Sequence, residues 1–119
     1  MKINIDEKII ADSIKYYGKE LQSIVCMEEC SEMIQAISKE LRGKSDKNHL
    51  AEEMADVMIC INMLQKMYEI DTSELELWIF SKQQRCKERM MTEWTKYLTK
   101  LENREIIKLT RRCNNGGCC

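Results

Sequence analysis

The chain carries the stretches MEECSEM at residues 27–33 and AEEMADV at residues 51–57, and each contains two acidic residues three positions apart. Residues three apart lie on one face of a helix, so Glu29 and Glu32 form one pair and Glu53 and Asp56 form another. Apolar residues and cysteines occupy the adjacent turns. Burying an ionised carboxylate without a partner is costly, so protonation, a cation or a metal ion must compensate. The two pairs therefore suggest a divalent metal site between two helices.

Either pair alone is explained more simply as a solvated helix face, because glutamate favours helices and most helical acids face water. Two similar pairs on consecutive helices favour the metal site, since antiparallel neighbours would bring them face to face. Oxygen ligands without histidine or cysteine suit Mg²⁺ or Mn²⁺. A di-iron bundle would need two Glu-x-x-His motifs, and His49 is the one histidine of the chain.

The scarcity of helix-breaking residues predicts an all-α fold. Proline is absent, and Gly18 and Gly43 are the only glycines before the last residues, so helices can run long. Apolar residues at helical spacing predict helices at about 5–17, 19–41, 46–68 and 71–86, with an extension or a fifth helix reaching about residue 109. We expect a four- to five-helix bundle with antiparallel helices.

Length and charge narrow the function classes. The 119 residues suit one domain, which we place at 1–112 with a charged helical extension at about 90–112 and a flexible Cys/Gly/Asn tail at 113–119. The 19 basic and 20 acidic residues nearly balance, so neither nucleic acid nor an anionic membrane is expected as a partner. The sequence lacks a signal-peptide pattern and a membrane-spanning stretch, so we expect a cytoplasmic protein with reduced cysteines.

The acidic pattern resembles that of a known family. Glu28-Glu29-x-x-Glu32, a gap of about twenty residues and Glu53-x-x-Asp56 are similar to the signature of the MazG-like nucleoside triphosphate pyrophosphohydrolases, the all-α NTP pyrophosphatases. The resemblance covers about residues 20–89. The short segments at residues 36–37, 41–43 and 50–53 also resemble sequences of this family.

The resemblance implies a Mg²⁺-dependent enzyme, with Mn²⁺ as an alternative ion, that splits a nucleoside triphosphate into the monophosphate and pyrophosphate. It also implies a homodimer or homotetramer. The implied metal ligands are Glu29, Glu32, Glu53 and Asp56. Either Glu28 or Glu32 would act as the catalytic base.

Three basic residues on one face of the fourth helix are candidates for binding phosphate: Lys82, Arg85 and Arg89. An ordinary solvated basic face is the alternative. Gln22 lies one heptad before Glu29 and is a further candidate for substrate binding. The aromatic residues Tyr16, Tyr17 and Trp78 could stack on a base, but core positions are expected for them.

Two other functions remain open at this stage. One is a non-catalytic helical adaptor whose acids face solvent or a partner. The other is a related metal-dependent pyrophosphohydrolase that acts on another phosphorylated metabolite, for instance in histidine biosynthesis. The sequence leaves open the base, the sugar, the phosphorus attacked and the number of metal ions.

Overall fold

The computed structural model describes residues 1–116, which contain four helices and no strand, so the predicted all-α fold is confirmed. The helices are α1 Glu7–Tyr17, α2 Lys19–Leu41, α3 Lys47–Met67 and α4 Thr72–Asn114. The stretch predicted as an extension or fifth helix is the continuation of α4. Among the described residues, no helix is long and apolar enough to cross a membrane.

Local signals explain where the first three helices begin and end. The Asp6 side chain caps α1 by accepting the backbone N–H groups of Lys8 and Ile9 at 2.9 and 3.2 Å. Asp46 precedes α3, and its side chain caps the helix by accepting the backbone N–H of His49 at 3.1 Å. Gly18 separates α1 from α2 with φ of +86°, a conformation that side chains disfavour.

The chain divides into two compact units, and the first comprises residues 1–74. In this unit α2 and α3 share the largest contact, and α1 packs against both. The Cys26 thiol of α2 lies 3.8 Å from the Cys60 carbonyl oxygen of α3, and the Ser23 and Tyr68 hydroxyls lie 2.8 Å apart. A lower residue number on α2 thus meets a higher one at the end of α3, so the two helices run antiparallel.

A small core holds these three helices together. Its buried residues are Ile10, Cys26, Cys60, Met63 and Met67. Ile5, Ile14 and Leu64 pack against them while remaining partly exposed. The core faces only one side of α2, so Leu21, Ile34 and Leu41, apolar residues at helical spacing, stay exposed.

The second unit begins at Leu75 and consists of α4 beyond its first turn, among the residues described. No residue of α4 is buried. The core role predicted for Trp78 is therefore wrong, because this side chain is 57% exposed. Tyr16 and Tyr17 are likewise exposed, although Tyr17 lies one heptad after the buried Ile10, and their rings meet edge to face with centroids 4.8 Å apart.

The predicted tail at 113–119 overlaps the last helix. Cys113 and Asn114 belong to α4, which ends two residues beyond the expected boundary. Gly117, Cys118 and Cys119 lie outside the described residues.

We expect Met63→Ala to lower the free energy of unfolding by about 2–4 kcal/mol, because truncation of a buried side chain leaves a cavity in a small core. Met63 is 7% exposed and Met27, on α2, is 71% exposed. Met27→Ala is the matched control and should change stability by less than about 0.5 kcal/mol. Urea unfolding followed by circular dichroism measures both, and equal effects would contradict the assignment of the core.

Candidate metal centre

Three carboxylates converge where α2 packs against α3. One oxygen from each of Glu29, Glu53 and Asp56 lies within 4.8 Å of the other two. Glu29 comes from α2, and the other two lie three residues apart on α3. The antiparallel packing of the two helices therefore brings together acids that are 24 or more residues apart in the chain.

Glu53 is the most buried member of this carboxylate cluster, with 5% of its surface exposed. Its Oε1 atom lies 3.3 Å from Nδ1 of His49, one turn earlier on α3. Its Oε2 atom is buried and has no hydrogen-bond partner. Because an unsatisfied buried carboxylate oxygen is costly, its position beside two further carboxylates indicates a place for a cation.

The negative charges of the cluster also favour a bound cation. Burial raises the pKa of Glu29, and the charge of Asp56, then those of Glu32, Glu53 and Glu28, raise it further. Elsewhere in the first unit, Glu7 pairs with the Lys66 ammonium and accepts a 2.9 Å hydrogen bond from the Asn62 amide, and these contacts lower its pKa. The cluster thus concentrates negative charge without the kind of cationic partner that Glu7 has.

The donors fit a hard divalent cation. Three carboxylates that approach within 4.8 Å can share one ion, and oxygen ligands suit Mg²⁺ or Mn²⁺. The neighbouring thiol of Cys60 is a poor ligand, because burial and then a hydrogen bond with Cys26 raise its pKa to about 12. No cysteine or histidine joins the ligand group in residues 1–116.

Two acids assigned from the sequence stand apart from this cluster. Glu32 and Glu28 are exposed on α2, and neither belongs to the group of three. Both are near enough to raise the pKa of Glu29 through their charge. Their roles as metal ligand and catalytic base stay predictions.

The candidates for substrate binding lie elsewhere. Gln22 is buried, and its side-chain amide donates a 2.7 Å hydrogen bond to the Ser13 hydroxyl, which ties α2 to α1. Lys82, Arg85 and Arg89 line one shallow groove along α4 in the second unit. Their contact with substrate stays a prediction for all four.

His49 is the contact that sequence reasoning missed. Its position four residues before Glu53 puts both side chains on one helix face, and that spacing is the signal that could have found it. In the structure His49 Nδ1 lies 3.3 Å from Glu53 Oε1 and 3.8 Å from Glu52 Oε2. A histidine beside a metal-ligating carboxylate can fix the orientation of that carboxylate.

In the absence of metal, the protein should lose stability as pH rises through the titration of Glu29. Its folded pKa lies above the ordinary value of 4.5, so the folded state holds the proton more tightly than the unfolded chain. The resulting stabilisation is present below the ordinary pKa and is lost as pH rises through the raised one. Glu29→Gln cannot titrate, so its melting temperature should fall less than that of the parent between about pH 4 and about pH 7.

Melting temperatures measured in chelator across this range test the prediction. Glu20→Gln, an exposed change on the same helix, is the control and should follow the parent. Identical pH dependence in parent and Glu29→Gln would show that Glu29 is not held in a repulsive site.

Comparison with known proteins supports the same region of the chain. The family model described as the MazG nucleotide pyrophosphohydrolase domain matches residues 19–91, which include the three clustered carboxylates and the basic residues of α4. Comparisons with curated proteins and with solved structures gave no match. The match covers more than half of the chain, so the chain belongs to the MazG nucleotide pyrophosphohydrolase family.

Proposed function

We propose that the protein is a Mg²⁺-dependent pyrophosphohydrolase that converts a nucleoside or deoxynucleoside triphosphate into the monophosphate and pyrophosphate. The observation that carries the proposal is the convergence of Glu29, Glu53 and Asp56 inside the region that matches the family. The burial of Glu53 argues against a merely solvated acidic face, because a surface acid would keep both oxygens in water. The adaptor function is therefore the weaker alternative.

The three clustered carboxylates would hold the ion, with Mn²⁺ as a substitute for Mg²⁺, and Glu32 would join them from the exposed side of α2. When bound, such an ion neutralises phosphate charge and lowers the pKa of a coordinated water. The role of His49 would be to keep Glu53 Oε1 in place, which leaves Oε2 directed away from the imidazole.

A second task for the chain's own residues is to receive the proton of the attacking water. Glu28 and Glu32 are exposed beside the cluster, so either carboxylate can approach a water molecule without the constraint that holds Glu53. Lys82, Arg85 and Arg89 would bind phosphate oxygens, the lysine as a point charge and the arginines through paired N–H groups. Gln22 would contribute its free carbonyl oxygen while its amide nitrogen stays bonded to Ser13.

The biological setting that this proposal implies is control of the nucleotide pool in the cytoplasm. A homodimer or homotetramer would accompany it. Exposed apolar side chains on α2, among them Leu21, Ile34 and Leu41, are consistent with subunit contacts.

We expect Glu53→Gln and Asp56→Asn to lower kcat by about a hundredfold or more, because each removes a charge that holds the ion while preserving side-chain shape. Glu52→Gln is the matched control, since Glu52 is adjacent in sequence but 73% exposed at its side chain. The assay offers a panel of ribo- and deoxyribonucleoside triphosphates with Mg²⁺ and resolves monophosphate, diphosphate and pyrophosphate by anion-exchange chromatography.

Chelator should abolish activity, and Mg²⁺ or Mn²⁺ should restore it. Full activity in excess chelator would contradict the metal requirement. A parent protein that hydrolyses none of the panel would overturn the proposed substrate class, and hydrolysis of another phosphorylated metabolite would support the related enzyme instead.

Lys82→Ala and Arg89→Ala should raise KM or lower kcat, because each removes positive charge from the predicted path of the triphosphate. Lys100→Ala is a control on the same helix, beyond the region that matches the family. If the three variants have the kinetics of the parent, the basic face of α4 is ordinary solvated surface.

A further inference from the structure

The last part of α4 lies outside the family match and carries an apolar stripe. The match ends at residue 91, whereas the helix continues to Asn114. Trp94, Leu98 and Leu101 are 61%, 42% and 37% exposed, and Met91, one heptad before Leu98, is 60% exposed. The Trp94 ring stacks on Tyr97 with centroids 5.6 Å apart. Met91 is the last matched residue, and Trp94, Leu98 and Leu101 lie beyond the match.

The stripe follows the spacing of a coiled coil. Residues 87, 94 and 101 are separated by heptads, and so are residues 91, 98 and 105. These six positions therefore lie along one side of α4, and together they span about 27 Å of helix. The four inner positions are apolar, and the two outer ones are Lys87 and Glu105, which have opposite charges.

Two copies of this stripe that run in opposite directions are complementary to each other. If a second copy of α4 lies antiparallel, residue 87 faces 105 of the partner, 91 faces 101, and 94 faces 98. Each apolar position then meets another apolar position, and Lys87 meets the opposite charge of Glu105 at both ends. In a parallel pair Lys87 would face Lys87 and Glu105 would face Glu105, and like charges at such positions are unfavourable.

Two symmetry-related pairs of flanking residues, one at each end, oppose the antiparallel register. Glu88 and Glu102 would lie near each other at the edge of the contact, where both remain exposed to water. Solvent and salt screen charges at such an edge, so this repulsion counts less than the contacts of Lys87 with Glu105 nearer the apolar seam.

We propose that residues 87–105 of α4 form an antiparallel two-helix contact with the same residues of a second copy of this chain. Of the possible partners, the second copy is favoured because two antiparallel copies place apolar residues opposite apolar residues and Lys87 opposite Glu105. The contact uses residues of the second unit and none of the clustered carboxylates, so its test is independent of the proposed enzymatic activity.

Charge reversal tests the register in the full-length chain. Lys87→Glu places two acids opposite each other, and Glu105→Lys places two bases opposite each other, so each single variant should raise the dissociation constant of the contact roughly tenfold. The double variant restores opposite charges and should return to within about threefold of the parent. Lys96→Glu, on the opposite side of α4, is the control and should have no effect.

The readout must separate this contact from association through other surfaces. The chain has two tryptophans. In a Trp78→Phe background, Trp94 is the remaining one and reports on the stripe itself. Its emission, recorded over a concentration series beside analytical ultracentrifugation, should move to shorter wavelength as the parent associates. The shift should require higher protein concentration in each single variant and recover in the double variant.

Three results would overturn the proposal. The first is Trp94 emission that stays at the wavelength of a solvated indole at every concentration. The second is association that neither single variant weakens, which is the behaviour of a parallel pair or of another interface. The third is a double variant that associates as weakly as the singles. Circular dichroism confirms that each variant keeps the helix content of the parent.

Discussion

The folded structure depends on one constraint, which is the mutual repulsion among the carboxylates of Glu29, Glu53 and Asp56. Oxygen atoms of all three lie within 4.8 Å of one another, and burial together with the neighbouring charges raises the pKa of Glu29. The packing of α2 against α3, through a core that contains Cys26 and Cys60, must hold them together in spite of that repulsion. A bound cation would attract all three carboxylates, so its binding to the folded chain would stabilise the fold.

The small size of the core follows from this arrangement. The core has to occupy the seam that the carboxylates do not, and the side chains that fill it are mainly cysteine and methionine. Such side chains adapt to irregular spaces, which suits a seam that also supports a charged site. Several large apolar residues, among them Leu21, Ile34 and Leu41 of α2 and Trp94 of α4, stay exposed, which leaves apolar surface for association.

Much of the fold was predictable because its signals are local. Gly18 and Asp46 mark helix ends through backbone geometry and capping, so α2 was predicted with its observed bounds and α3 to within one or two residues. The continuity of α4 was not, since its charged stretch fits an unbroken helix as well as two helices. Periodicity also failed for Tyr16 and Tyr17, because an apolar face shows where a partner would pack and not whether one is present.

In the candidate site, too, local signals were predictable from the sequence and the effects of tertiary packing were not. The spacing of Glu53 and Asp56 and the short connection between α2 and α3 were sufficient to bring Glu29 opposite them. Which of the neighbouring acids lies closest to Glu53 and Asp56 depends on the rotation of α2 about its axis, and that rotation is set by packing, so the sequence could not separate Glu29 from Glu32. The buried amide of Gln22 depends on its contact with Ser13 of α1, a tertiary contact that helix periodicity does not encode.

The most direct test of the account is the effect of Mg²⁺ on the melting temperature of the parent, Glu53→Gln, Asp56→Asn and Glu52→Gln. We predict that Mg²⁺ raises the melting temperature of the parent and of Glu52→Gln but has little effect on the other two, whose metal-free melting temperatures equal or exceed that of the parent. Equal responses to Mg²⁺ in all four proteins would contradict the three-carboxylate site.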